Sequence, residues 1–83
     1  MIDKTLIVFV LRKLFRHRYI GAKHTDINNI VKGLPSHLRG RCKKIVQHLI
    51  RTEFLLTKPT MYGLHISLNP EKLEEIKEII KPK

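Results

Sequence analysis

Gly33-Leu34-Pro35-Ser36-His37-Leu38-Arg39-Gly40-Arg41-Cys42-Lys43-Lys44-Ile45-Val46-Gln47-His48-Leu49-Ile50-Arg51-Thr52 is the segment whose reading decides the fold. Pro35-Ser36 reads as a helix start, with Ser36 as N-cap. The spacing predicts a helix from His37 to Thr52. Leu38, Cys42, Ile45, Val46, Leu49 and Ile50 fall within about 140° at 100° per residue. The opposite face carries His37, Gly40, Arg41, Lys44, Gln47, His48 and Arg51. No acidic residue stands between Asp26 and Glu53, so that face is cationic throughout.

Working towards the N-terminus, Ile27, Ile30, Val31 and Leu34 repeat at i, i+3, i+4 and i+7, which predicts a short helix over 26–32. Thr25 is its expected N-cap, with Asp26 in the first turn where the dipole favours an anion. Gly33 is expected to supply the left-handed residue that ends it. Tyr19-Ile20-Gly21 reads as a very short extended piece. A first helix is expected over 3–17, capped by Asp3 or Thr5. Its apolar residues, Leu6 to Leu11 with Leu14 and Phe15, cover more than one stripe, so it is expected to be unusually buried or to pack on a second surface.

Towards the C-terminus, residues 54–68 read as a hairpin. Phe54-Leu55-Leu56-Thr57 is one strand and Lys58 to Gly63 the loop, with Pro59 and Gly63 as punctuation. Leu64-His65-Ile66-Ser67-Leu68 alternates as a half-buried strand does. Asn69-Pro70-Glu71 then opens a last helix over 70–81, with Asn at the cap and Pro at the first helical position. Leu73, Ile76, Ile79 and Ile80 form its buried stripe.

Composition bounds the function. The chain has 83 residues, room for one domain. Its net charge is +10, unevenly placed: residues 1–68 hold 13 Lys+Arg against 3 Asp+Glu, and residues 69–83 hold 4 of each. Clustered cations of this kind steer polyanions and displace their counterions. One cysteine excludes an intrachain disulfide framework. Cys42 falls on an apolar helix face and reads as a buried thiol. The longest apolar run, Leu6–Leu11, is far short of the ~20 residues of a membrane span. The five histidines (His17, His24, His37, His48, His65) contain no i, i+4 pair, and no metal site is expected. Three scattered acids before residue 69 offer no carboxylate pair, and there is no Gly-rich phosphate loop. The expectation is a soluble, intracellular non-enzyme without a cofactor.

Helix, extended piece, helix, Gly-containing turn, basic helix, hairpin, helix is an order that resembles the winged helix-turn-helix family, its small archaeal and bacterial members above all. The resemblance covers nearly the whole chain. It implies an α+β, mostly helical domain over 1–83, with a three-helix core, a hairpin wing and a C-terminal helix. It implies duplex DNA binding, with 37–52 as recognition helix in the major groove and a role in transcription regulation in a cytoplasmic, nucleoid-associated setting. By angle, His37, Lys44 and Gln47 are the expected readers of base edges, joined by Arg41, since Arg pairs bidentately with guanine. Arg39, Lys43, His48 and Arg51 flank them as expected phosphate contacts, and Ser36 with the first-turn amides can meet another. Gly40 permits close approach to the groove. On the wing, Lys58, Thr60 and Tyr62 are the expected contacts, unless Tyr62 packs on the sheet. A second basic group (Arg12, Lys13, Arg16, Arg18, Lys23) either widens the footprint or caps the first helix. The first and last helices are expected to form a homodimer. The alternatives are a structured-RNA-binding protein and a winged-helix protein–protein interaction module.

Overall fold

A computed structural model describes residues 4–81. Helix α1 runs Lys4–Arg16, α2 Asn28–Val31, α3 Ser36–Arg51 and α4 Leu73–Ile80, and the strands are β1 Thr25–Asp26, β2 Leu55–Thr60 and β3 Gly63–Leu68. The architecture is α+β, with β3 central in an antiparallel sheet of order β1-β3-β2. Asp3, an expected cap of α1, lies outside the described residues. No helix among the described residues is long and apolar enough to cross a membrane.

The core joins all layers. Leu6, Val10, Leu11 and Leu14 of α1 meet Ile30 and Val31 of α2, Cys42, Ile45, Val46 and Leu49 of α3, and Leu55, Ile66, Leu68 and Ile76. The second stripe of α1 is half-buried: Ile7, Phe9 and Phe15 pack against that core. Hence the broad apolar surface of α1. Burial pushes the Cys42 thiol above its usual value, with the Lys13 charge opposing.

Both long helices end in the same device. Tyr19 N–H donates to Leu14 O at 3.0 Å and Arg18 N–H to Phe15 O at 3.1 Å. Phe54 N–H donates to Leu49 O at 2.9 Å and Glu53 N–H to Ile50 O at 3.1 Å. These are Schellman closures, and they put Arg18 (φ 60°) and Glu53 (φ 67°) in the left-handed region. Gly33, by contrast, is not left-handed: among the described glycines only Gly21 and Gly63 have positive φ. The end of α2 is closed by Leu34 N–H to Val31 O and by the Lys13 ammonium, 3.4 Å from Ile30 O.

Thr25 is not a helix cap. It lies in β1, buried, with Ile66 as its partner, and Asp26 pairs with His65. The open edge of β3 recruits this β-branched residue into the sheet, and α2 starts later than expected. Asp26 becomes the effective cap, its Oδ1 accepting from Asn28 N–H at 2.8 Å. The Tyr19–Gly21 piece does touch the sheet: Ile20 bridges Leu68 in parallel, with Leu68 N–H donating to Tyr19 O. Ser36 is also not a cap. It is the first residue of α3, and Pro35 precedes it without a side-chain cap.

The hairpin is longer and its loop shorter than expected. Lys58 and Pro59 belong to β2, paired with His65 and Leu64, and only Met61-Tyr62 lie between the strands. Because β2 is an edge strand, Pro59 can sit in it without removing an inner ladder bond. β3 does not alternate in burial: Ile66, Ser67 and Leu68 are all buried. Segment 19–23 covers the second face there, and Ser67 Oγ donates to Gly21 O at 2.8 Å. Asn69 caps as expected, accepting from Glu71 N–H, though the first turn, Pro70–Lys72, is a 3₁₀ turn before α4. Its Nδ2 also donates to Glu53 O at 2.8 Å, tying the last helix to the end of α3.

Candidate nucleic-acid interface

Residues Ser36, His37, Gly40, Arg41, Lys43, Lys44, Gln47 and Arg51 are exposed on α3. They emerge because Cys42, Ile45, Val46 and Leu49 hold the other side in the core. A Cβ on Gly40 would meet nothing within 4 Å, so packing does not require glycine there. His48 is half-buried at the edge of the face.

Arg39, an expected phosphate contact, is bonded to the backbone of the preceding turn. Its Nε donates to Leu34 O at 3.0 Å and its Nη2 to Lys32 O at 3.3 Å, so the guanidinium spans the turn between α2 and α3. The second basic group is likewise engaged. Arg12 donates to Ile80 O at the end of α4, and Lys13 reaches Ile30 O and the Phe9 ring. Arg18 lies over Phe15 and Lys23 over Tyr19. Four of the five cations thus hold helix ends or rings. An open groove between α1 and α4, lined by Lys4, Arg12 and Arg16 as well as Val8, Phe9 and Ile79, lies on the face expected to dimerise.

The hairpin residues expected as contacts do not act as one group. Thr60 Oγ1 donates to Gly63 O at 2.7 Å and accepts from Tyr62 N–H, so its hydroxyl shapes the turn. That turn presents Met61 and Tyr62, 90% and 88% exposed. Tyr62 therefore does not pack on the sheet. Met61 had no place among the expected contacts, because only its position in a two-residue tip exposes it. Lys58 stands back from the tip, beside His65.

His24 and His65 are 41 positions apart and carry no spacing signal in the sequence. Their Nδ1 atoms meet at 2.8 Å, with rings edge to face and centroids 4.9 Å apart. Loss of solvation, then the charges of Lys58 and His65, hold His24 below the usual imidazole value. No three His, Cys, Asp or Glu side chains among the described residues gather as a metal site.

No protein-family model matches the chain, and neither does any curated protein or solved structure.

Proposed function

We propose that this protein binds double-stranded nucleic acid, DNA first, as a winged helix-turn-helix domain with α3 in the major groove and a regulatory role in transcription. One observation carries the reading: α3 projects Arg41, Lys43, Lys44 and Arg51 with the polar Gln47 from an exposed face that has no acid along its length. A helix fits the major groove, which is about 12 Å wide. Lys and Arg on such a face neutralise phosphates, and Gln47 can hydrogen-bond a base edge. The α2-turn-α3 unit with its attached hairpin supports the family assignment, with the tip of the wing beside backbone or minor groove. Recognition through α3 needs no catalytic group.

Structured RNA is the second reading, and the exposed Tyr62 favours it, since a solvent-facing ring can stack on an unpaired base. Fluorescence anisotropy with duplex DNA, single-stranded DNA and structured RNA across a salt series separates the two. Duplex preference with a log–log salt slope near about −5 is expected. Arg41→Ala and Lys44→Ala weaken binding and Glu74→Ala does not. Equal binding by all three variants overturns the role of α3, and RNA preference promotes the second reading.

A further inference from the structure

Three nitrogen-bearing side chains converge on the sheet face turned away from the core. In the register, His65 of β3 lies between Lys58 of β2 and Asp26 of β1. The neighbouring pair Thr25–Ile66 is buried, so the His65 row faces the other way. His24, two residues before Asp26, closes on the same spot through the 2.8 Å Nδ1–Nδ1 contact. Asp26 is the one acid in this row, and its Oδ1 is engaged by Asn28 N–H. Lys23, next in sequence, is turned over the Tyr19 ring. Lys58, paired across strands with His65, and the two imidazoles in contact repel as they charge, and like charges paired across strands cost stability. Asp26 offsets one of these charges, so the cluster keeps a net positive charge once an imidazole is protonated, and a further anion is favoured.

The hydrogen-bonding arithmetic states which anion fits. An Nδ1–Nδ1 bond needs one ring to donate and the other to accept, and it leaves both Nε2 atoms outside the contact. With one proton added to the pair, both Nε2 carry hydrogens and the bond is kept. The cluster then offers two imidazole N–H donors and an ammonium, a set suited to a phosphate oxyanion. We propose that His24, His65 and Lys58 form a phosphate-binding site whose occupation draws one proton from solvent onto the imidazole pair. The site deepens the nucleic-acid reading, on which the backbone phosphodiester rests as its source. The same chemistry also takes a free phosphate.

The test is an NMR pH titration of the two imidazoles in the full chain. It is run in sodium chloride, in inorganic phosphate and with a DNA duplex, at equal ionic strength. The Gln47 side-chain amide reports duplex binding by α3 independently. The expected result is an upward move of about 1 pH unit in the titration midpoint of the pair, reduced in Lys58→Gln. Movement with both ligands, or with either alone, supports the site and names its source. Midpoints unchanged in phosphate and duplex overturn it, whatever Gln47 shows. A silent Gln47 with midpoints moved by inorganic phosphate overturns the duplex reading and leaves the site standing.

Discussion

The Arg39 guanidinium donates to the Leu34 carbonyl at 3.0 Å, binding α3 to the turn that delivers it. A residue expected to meet phosphate is thus part of the scaffold. Arg39→Ala should lower unfolding stability by ~0.5–1 kcal/mol. Lys43→Ala and Lys44→Ala, whose side chains are exposed, should stay within ~0.5 kcal/mol of wild type. Urea unfolding of the three variants checks this, and equal stability for all three would remove the structural role of Arg39.

Glu53 closes α3 in a conformation that glycine adopts without strain. Glu53→Gly should stabilise the fold by up to ~1 kcal/mol, since the left-handed cost for an L-residue exceeds the entropy of the freed chain. Gly21→Ala should do the reverse: φ is +62° and the new Cβ would meet Pro70 Cγ at 3.3 Å. Thermal melts of both give the signs.

Gly40→Ala separates folding from binding. With open space around the site, alanine should add ~1 kcal/mol of helix stability. If α3 docks closely in a groove, the same methyl should weaken duplex binding. A variant that is more stable and binds equally well would show that Gly40 does not mark close approach.

The His24–His65 contact gives stability a direction in pH. His24 titrates below its ordinary value of 6.5 in the fold. As pH falls through that value, the unfolded chain takes up a proton that the folded chain resists. Stability is therefore full above that window and declines below it, until the folded imidazole also protonates. Melting temperatures from pH 8 to pH 5 should fall in wild type and fall less in His24→Gln.

How much of this the sequence reveals depends on distance along the chain. The two faces of α3 are legible because Cys42, Ile45, Val46 and Leu49 repeat within a single helix. The Asn69 cap is legible because it acts on Glu71, two residues away. Thr25 misleads because a Thr before an apolar run suits a helix cap and a strand equally, and Ile66 decides between them. Lys58 and Pro59 look like loop because proline breaks interior strands, and the edge position of β2 is a property of the whole sheet. Gly33 is not left-handed because Leu34 N–H and the Lys13 ammonium close α2 instead, while Arg18 and Glu53 take the left-handed position at the ends of α1 and α3. Arg39 shows no local sign of its attachment to Leu34 and Lys32, and the His24–His65 contact appears only when β1 pairs with β3.

That pairing also orders events in time. The central strand is the last of the three to be synthesised, so β1 has no partner until Ile66 has left the ribosome. β2 can close on it as soon as the two-residue tip forms, whereas β1 must wait across some forty residues. A nascent chain halted before Gly63 lacks β3, so neither β1 nor β2 has its strand partner, and Ile66 and Leu68 are missing from the core. Products of that length are therefore expected to be prone to aggregation and proteolysis, since Gly63–Leu68 is the strand that joins the other two.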